Sequence, residues 1–341
     1  AYNGTVTAYY THMTDAALGR LQVVIATTRG AIPDVDPADI EQRLVEAGRS
    51  WADQMQDALV EAKGEEQGFT LLRRYGDAFP AGYRERFTAQ LSVADIDKVE
   101  EALAGPGIAM NLYRPLESGP SELKLKLYSA GAQLPLSDVL PMLEHMGFKV
   151  ISETPYMVQP RGADRAVWIH DFGMFTAAGR EIELGGVREI FHEALARVWS
   201  GDMEDDGFNR LVLGAELDWR EITILRAYCK YLRQAAIPFS QAYMEATLAG
   251  NAAIAALLVK LFRTLFKPAA GANREGRVKA IVTDIERALD GVSNLDEDRI
   301  LRRFLNVILA TQRTNFFKGA KAGQIKPYLS FKLDSRAVDE L

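Results

Sequence analysis

The chain has 341 residues and a formal net charge of −6 at pH 7. Hydrophobic residues make up 48% of it and charged residues 25%, which is usual for a globular protein with two or three domains. Nucleic-acid binding is not favoured, because that function depends on clustered Lys and Arg side chains that neutralise phosphates. The single cysteine, Cys229, excludes a disulfide or a thiolate metal cluster within the chain and fits a reducing cytoplasm.

No apolar run has the length of roughly 18 residues that a membrane span needs. Residues 252–262 come closest, and Lys260 interrupts them. The first residues also lack the cationic and apolar pattern of a secretory leader. The sequence therefore predicts a cytoplasmic protein without a membrane segment.

Two strands and a long helix are predicted for the N-terminal part. Residues 4–11 and 20–28 are alternating or continuous apolar runs of the kind that forms strands. After them, Asp36-Pro37 supplies a helix start, and apolar residues then recur every three or four positions up to Gly64. This spacing predicts one long amphipathic helix.

Two more helices are predicted before the turn at Gly105-Pro106-Gly107. One spans residues 65–78 and ends before Pro80. The other opens at Ser92, and Asp95 follows it at the position whose carboxylate can reach back to the cap. Asp95 is therefore interpreted as a capping residue.

From residue 107 to 174 the apolar period changes to two. The segments predict strand, strand, helix, strand and strand, in the order 108–114, 122–129, 137–147, 148–158 and 166–174. With a helix at 93–104, they form most of a βαββαβ, ferredoxin-like unit. Two alternatives remain for its missing first strand. Either residues 20–28 supply it, with helices 37–86 inserted, or residues 20–28 complete a preceding unit.

Almost everything after residue 181 predicts helix. Asp218 and Glu221 form a capping-box pattern at the start of one of these helices. Residues 326–333 return to strand-like alternation, typical of a strand that leads into a following domain. The predicted helices span 187–200, 205–215, 219–236, 240–249, 252–266, 276–290 and 296–313.

No motif for catalysis, metal binding or nucleotide binding is complete. Residues 202–207 begin like a calcium-binding EF-hand loop, but Leu213 stands where a bidentate carboxylate is needed. His192-Glu193 starts like the zinc-protease helix, but Ala196 replaces the second histidine. A glycine-rich phosphate turn is missing as well, so no catalytic, cofactor-binding or metal residue is predicted. The other histidines share no ligand spacing and are interpreted as structural or surface residues: His12, His145 and His170.

Four dense motifs follow one another at residues 134–156, 167–174, 204–234 and 295–317. In this order they resemble the large NAD-specific glutamate dehydrogenases of bacteria, in the region upstream of the catalytic domain. The resemblance covers essentially the whole chain, because further segments match at the same relative positions: 21–36, 49–59, 73–87 and 326–334.

The resemblance implies an α+β protein, with an ACT-like, ferredoxin-like βαββαβ module that carries a helical insertion, followed by a mainly α-helical region. It implies a non-catalytic regulatory or oligomerisation part of an enzyme that converts L-glutamate, NAD and water to 2-oxoglutarate, ammonia and NADH. NAD belongs to the parent enzyme, and no cofactor is expected in this chain. The alternatives are an amino-acid effector-binding ACT-type module or a purely architectural spacer.

Five segments are predicted on this basis. The expected partners are the catalytic domain of the same polypeptide and other copies in a homo-oligomer, with an amino-acid effector as a further candidate. The segments are strands of an ACT-like module, either whole or truncated (1–35), a helical segment (36–88), an ACT-like α+β domain (89–180), a helical domain (181–320) and a connector to the catalytic domain (321–341).

Two groups of residues are candidates for binding. Arg299, Arg302 and Arg303 share one face of a helix whose opposite face is apolar, and this face is either solvated or docks on the catalytic domain or a neighbouring subunit. Arg313 and Asn315 extend that interface candidate. Ser137 and Asp138, at a predicted helix start, are candidates for holding an effector, the alternative being that Ser137 is an ordinary N-cap.

Overall fold

The computed structural model describes residues 4–12, 20–28, 36–115, 118–177, 179, 181–268, 273–319, 326 and 328–338. The chain divides into two compact units. The first is drawn from residues 1–77 and 84–93, and the second from residues 78–83 and 94–341.

The first unit begins with a two-stranded antiparallel sheet. Strand β1 (Thr5–His12) pairs with β2 (Arg20–Ala26), so that Tyr9 lies opposite Val23. Both predicted strands are confirmed. Most of their described side chains are exposed, since these two strands form a sheet of their own.

Three helices follow in this unit, namely α1 (Pro37–Gly48), α2 (Trp51–Lys63) and α3 (Glu65–Tyr75). The prediction of one long helix up to Gly64 is wrong, because the helix ends and restarts at Ser50. The Ser50 hydroxyl accepts the backbone N–H of Asp53, and the Asp53 carboxylate accepts the backbone N–H of Ser50. This capping box satisfies helix N–H groups that would otherwise lack acceptors.

Helices α4 (Ala81–Arg86) and α5 (Ala89–Ala104) contain residues of both units. The prediction that α5 opens at Ser92 is wrong, because the helix begins three residues earlier. The Ser92 hydroxyl lies inside the helix and donates to the Ala89 carbonyl at 2.6 Å. Asp95 therefore does not cap α5, and its side chain is buried instead.

The second unit contains a four-stranded antiparallel sheet, with strands in the order β3-β4-β6-β5. Its elements are β3 (Ala109–Tyr113), β4 (Glu122–Ala130), α6 (Leu136–His145), β5 (Phe148–Val158) and β6 (Val167–Thr176). All four predicted strands and the predicted helix are confirmed, as is the α+β class.

Strand β6 lies between β4 and β5, the position that the first strand of a βαββαβ unit occupies. The alternative in which residues 20–28 supply that strand is therefore wrong. The sheet is complete without them, and β2 pairs with β1 instead. Residues 20–28 thus belong to a separate element.

The sheet has two faces of opposite character, because successive side chains of a strand point to opposite sides. On the apolar face, Leu125 of β4 pairs with Phe172 of β6, and both are fully buried. On the polar face, Lys126 pairs with Asp171, and Lys124 lies two residues before Lys126. The apolar face packs into one hydrophobic core together with α6 and the helices that follow.

The helical region contains seven helices among the described residues, besides a short 3-10 turn at Gly207–Arg210. The predicted helix at 205–215 is wrong as a single element: it is this turn followed by a four-residue helix, because Asp206 caps the Phe208 N–H. The Asp218 and Glu221 capping box is confirmed. The helices are α7 (Leu184–Trp199), α8 (Leu211–Gly214), α9 (Trp219–Gln234), α10 (Gln241–Gly250), α11 (Ala252–Phe266), α12 (Arg274–Leu289) and α13 (Leu295–Leu309).

Helix α13 ends four residues before the predicted end at 313, because the chain enters strand β7 (Thr311–Thr314). Strand β8 (Phe331–Leu333) returns and pairs antiparallel with β7. The strand-like segment is therefore confirmed in its last part, but it folds back onto the helical region. Val338, which follows it, is 4% exposed and belongs to the same hydrophobic core.

Over the described ranges, no single helix is long and apolar enough to cross a membrane. Helices α10 and α11 meet the length and composition criteria only as a pair, and they are bent by 97° at the break between them.

Candidate functional site

The polar face of the sheet carries a group of buried charged and hydroxyl side chains, here called the ionic cluster. Asp95, Lys126 and Asp171 are only 2%, 3% and 1% exposed. Burial of charged groups is costly unless they are paired and hydrogen-bonded, so a cluster of this kind is the first candidate for a functional site. Its members are Tyr83 of α4, Asp95 of α5, Tyr113 of β3, Lys124, Lys126 and Tyr128 of β4, and Asp171 of β6.

The carboxylate of Asp95 lies at the centre of the ionic cluster and accepts from three buried donors. Its Oδ1 accepts the hydroxyl of Tyr128 at 2.6 Å. Its Oδ2 accepts the hydroxyl of Tyr83 and the ammonium group of Lys126. Burial, followed by the charge of Asp95, raises the pKa of Tyr83 and Tyr128 well above the ordinary tyrosine value, so both hydroxyls stay protonated and donate.

The lysines of the cluster are held by aromatic rings and a second carboxylate. The ammonium group of Lys126 lies 5.5 Å from the ring centre of Tyr83 and 5.8 Å from that of Tyr113, within cation–π distance. The Nζ of Lys124 is 3.6 Å from the Oδ2 of Asp171. Two lysines and two aspartates thus balance each other beneath α5.

This geometry suits a structural connection better than a catalytic group. The Asp95 carboxylate is 2% exposed and both its oxygens accept hydrogen bonds from buried side chains, so a substrate does not reach it in this structure. What Asp95 does is tie helix α5 to strand β4. The sequence interpretation missed this role. The signal was the pair Lys124 and Lys126, whose alternation with leucines places both on the face opposite the apolar core.

The described histidines have structural or surface roles, as predicted. Nε2 of the fully buried His170 accepts the backbone N–H of Leu134 at 3.1 Å, and Nδ1 lies 2.8 Å from a carboxylate oxygen of Glu153. His145 contacts Asp205 at the surface. The side chain of His12 lies outside the described residues.

His192 of α7 closes part of the free edge of the sheet. Its Nε2 accepts the backbone N–H of Leu112 at 3.0 Å, on the edge strand β3. Burial, followed by the charges of Lys98 and Arg188, lowers the pKa of His192 from 6.5 to about 4. The ring is therefore neutral at pH 7, as an acceptor nitrogen must be.

The effector candidates Ser137 and Asp138 lie in the first turn of α6, with exposed side chains. Pro135 occupies the N-cap position, so the interpretation of Ser137 as an N-cap is wrong. Its hydroxyl lies 3.2 Å from Oδ1 of Asp138 instead. Neither residue belongs to the elements that form the ionic cluster.

The arginines of α13 lie opposite a buried apolar face, as the spacing predicted. Arg299 contacts Asp296 at 3.5 Å, and Nε of Arg302 contacts both carboxylate oxygens of Asp298 at 2.9 Å. The hydrogen bond to Asp298 raises the pKa of Arg302. The apolar residues on the other side are all buried: Ile300, Leu301, Phe304, Leu305 and Ile308.

Arg313 and Asn315 differ from one another. Arg313 is exposed on β7, directly opposite Lys332 of β8. The side chain of Asn315 is used within the chain, because it donates to the carbonyl of Tyr328 at 3.0 Å and accepts the N–H of Ser330 at 2.7 Å. Asn315 therefore holds the β7–β8 loop ends together.

Two acidic residues of the run at 202–207 form ion pairs with the buried Arg226. Glu204 and Asp206 contact Nε of Arg226 at 3.1 and 2.7 Å, and Arg226 also donates to the side chain of Asn209. Within the part of the chain that the structure describes, no three His, Cys, Asp or Glu side chains are grouped to hold a metal ion.

Comparison with known families matches five consecutive segments to models of glutamate dehydrogenase. They are the ACT2 domain (residues 1–52), helical motif 2 (58–102), the ACT3 domain (107–187), helical motif 3 (203–268) and the bacterial NAD-glutamate dehydrogenase catalytic domain (284–341).

Three curated relatives, each called NAD-specific glutamate dehydrogenase, align with nearly the whole chain. The relative from Halomonas elongata is 40% identical over 97% of the chain, that from Pseudomonas aeruginosa 39% over 98%, and that from Mycobacterium tuberculosis 34% over 94%. These alignments cover 20%, 21% and 20% of the relatives, so the chain spans about a fifth of their length. The family models therefore assign ACT-type and helical segments to the chain, and the relatives that match it are much longer proteins. The chain belongs to the bacterial NAD-specific glutamate dehydrogenase family.

Five of the matched boundaries fall inside helices, at residues 52 and 58 of α2, 102 of α5, 187 of α7 and 284 of α12. Helical motif 2 ends at residue 102 within α5, so Asp95 lies in that motif while Lys126 lies in the ACT3 segment. The ionic cluster thus joins the two segments. The match to the catalytic domain begins at residue 284 within α12, ahead of the connector predicted from residue 321.

Asp95→Asn is expected to lower the free energy of unfolding by about 3–5 kcal/mol, because it removes the carboxylate that pairs with the buried ammonium group of Lys126. The double variant Asp95→Asn, Lys126→Met is expected to recover part of this loss, because it removes the buried positive charge as well. Urea unfolding followed by circular dichroism measures both. Equal stability of Asp95→Asn and the unchanged chain would show that the ion pair does not hold α5.

The neutral state of His192 predicts a loss of stability in acid. Between pH 6.5 and 4 the unfolded chain binds a proton at His192 that the folded chain does not, so stability falls as pH falls. His192→Gln keeps an acceptor for Leu112 but does not titrate. Allowing for partial exposure, it is expected to lose about 1 kcal/mol less than the unchanged chain between pH 7 and pH 5.

The check is urea unfolding of both proteins at the two pH values. Carboxylates elsewhere contribute equally to both, so only the difference between the two slopes reports His192. Identical slopes would mean that His192 titrates alike in the folded and unfolded chains.

Proposed function

We propose that this chain is the regulatory and oligomer-building region of a large NAD-dependent glutamate dehydrogenase. The whole polypeptide converts L-glutamate, NAD and water to 2-oxoglutarate, ammonia and NADH, and its catalytic domain supplies the NAD site. The chain itself contributes no hydride-transfer residue. The proposed location is the cytoplasm, where the free thiol of Cys229 stays reduced.

The observation that carries the proposal is the ordered series of ACT-type and helical segments matched along the chain. The ionic cluster supports it, because a carboxylate that is 2% exposed and hydrogen-bonded to three buried side chains suits a structural connection. The domain division is part of the same proposal: strands of an ACT-like module (1–35), a helical segment (36–88), an ACT-like domain (89–180), a helical domain (181–320) and a connector (321–341).

A second candidate function is that of an amino-acid effector module. Ser137 and Asp138 favour it, because the exposed carboxylate of Asp138 could pair with an ammonium group at the start of α6. A purely architectural spacer is the remaining candidate. An effector regulates only if it binds two states of the enzyme with different affinity.

The activity test compares NAD-linked oxidation of glutamate by this chain and by a longer polypeptide that contains it. NADH formation is expected only with the longer polypeptide, because the proposal assigns no hydride-transfer chemistry to this chain. NADH formation by the chain alone would contradict the proposal.

A thermal-shift screen of the twenty amino acids then separates effector module from spacer. A ligand that binds only the folded chain at a hundred times its Kd stabilises it by about 2.7 kcal/mol, which raises the melting temperature measurably. A shift that Asp138→Asn removes, and that the matched change Asp164→Asn keeps, indicates the effector site. No shift with any amino acid indicates a spacer.

The arginine face of α13 is proposed to dock on the part of the catalytic domain that follows this chain or on a neighbouring subunit. The double change Arg299→Glu, Arg303→Glu in the longer polypeptide is expected to weaken that contact, because it reverses the charge of the face. Light scattering measures assembly and NADH formation measures activity. Loss of assembly identifies a neighbouring subunit, whereas loss of activity with intact assembly identifies the catalytic domain.

Arg287→Glu on α12 is the matched control, since Arg287 is 72% exposed and lies on another helix. If both changes leave assembly and activity intact, the face is only solvated and the docking proposal is wrong.

A further inference from the structure

The segment matched to the catalytic domain shares a hydrophobic core with helical motif 3. Helix α13 lies in the segment matched to the catalytic domain. It packs against α9, α10 and α11, which lie in helical motif 3. Ile300, Leu301 and Phe304 of α13 are at most 1% exposed. The boundary between the two matched segments therefore does not coincide with a boundary in the core.

Aromatic rings from both segments meet in one group, here called the aromatic cluster. Tyr228 of α9 stacks on Phe331 of β8, with ring centres 4.4 Å apart and planes 5° from parallel. Phe262 of α11 meets Phe331 edge to face at 5.9 Å and Phe316 at 5.5 Å. Phe317 completes the cluster, 4.9 Å from Phe316. Stacked and edge-to-face pairs add to the stability that burial alone supplies.

Hydrogen bonds cross the same boundary and fix its geometry. The hydroxyl of Thr311 donates its one proton to the carbonyl of Val307 at 2.8 Å. The hydroxyl of Tyr228, which lies 2.8 Å from the Thr311 oxygen, is therefore the donor in the bond between these two residues. Arg220 donates to the carbonyl of Phe316 at 2.9 Å, and its guanidinium lies 4.5 Å from the ring centre of that residue. The bond from Tyr228 to Thr311 and the bond from Arg220 to Phe316 both link α9 to β7 and the residues after it.

A further bond lies at the other end of α13. The side chain of Asn251, between α10 and α11, donates to the carboxylate of Glu297 at 3.0 Å. Contacts therefore hold α13 at its first turn, along its apolar face and at the strand that follows it.

We infer that helical motif 3 and the described residues 284–319, 326 and 328–338 form one cooperative folding unit, held by the aromatic cluster, which acts as a rigid connection and not as a hinge. This inference rests on the proposed function, in which motif 3 belongs to the regulatory region, and on the match of residues 284–341 to the catalytic domain. Opening the connection would expose several buried aromatic rings to water at once, so it opens only when the whole unit unfolds. A displacement of the helical region is therefore transmitted directly to the start of the catalytic region.

Hydrogen exchange of the full 341-residue chain in mild urea tests this cooperativity. Phe331→Leu removes the stacked ring from β8 and is expected to lower amide protection about tenfold in α13 and, by the same factor, in α9 and α11. Tyr228→Phe keeps the stack but removes the bond to Thr311, and about a threefold to tenfold loss in the same three helices is expected. Phe331→Tyr keeps an aromatic ring and is expected to restore protection.

Leu309→Ala is the control, because Leu309 lies in the same segment but is 46% exposed. It is expected to leave α9 and α11 unchanged. If the Phe331→Leu chain loses protection only in strands β7 and β8, these strands open independently and the inference is wrong. No loss of protection in any helix would also overturn the inference. The measurement needs no enzyme activity. The inference can therefore be wrong while the proposed function is right, and the proposed function can be wrong while the two segments still unfold together.

Discussion

The buried carboxylate of Asp95 is the constraint on which the arrangement of α5 and the sheet depends. A charge that is 2% exposed is tolerated only if its surroundings replace water, and here three side chains from two other elements do so. Each of those donors reaches the Asp95 carboxylate only when α5 lies over β4 in one position. Apolar packing would tolerate a small slide of the helix, whereas a carboxylate that needs three donors does not. The cluster thus adds specificity to a contact whose stability comes largely from burial.

The sheet makes this arrangement possible because its two faces differ. The alternation of Leu and Lys in β4 places leucines on one side and Lys124 and Lys126 on the other. The leucine side continues into the helical core, which runs without interruption to Val338. A register shift of one residue between β4 and β6 would exchange the two faces and bury lysines in that core, so the register is strongly specified. One strand therefore connects the polar contact with α5 and the apolar contact with the helices.

The sequence predicted the four-stranded sheet well, because each strand has one apolar face and alternation reports this directly. It failed where the deciding partner is distant or where a local pattern has two meanings. The apolar spacing that predicted one helix from residue 37 to Gly64 continues through Ser50, so the break could be found only from the capping box of Ser50 and Asp53. Ser92 and Asp95 show the same pattern as a capping box, but α5 begins at Ala89 and Asp95 meets Lys126, which lies 31 residues later. The β7–β8 pairing joins segments that short-range periodicity cannot relate, and for the same reason the aromatic cluster was not predicted.

The position of the ionic cluster across two matched segments bears on how parts of such enzymes can be exchanged. Asp95 lies in helical motif 2 and its partners Lys126 and Tyr128 lie in the ACT3 segment, so a chimera joined between residues 102 and 107 combines an aspartate from one parent with a lysine from another. If the second parent lacks either partner, the hybrid buries an uncompensated charge. The two segments are therefore expected to be inherited together. Recombination is tolerated more readily ahead of α4 than between α5 and the sheet, because Tyr83 of α4 also donates to Asp95. Replacements at 95 and 126 are expected to occur together.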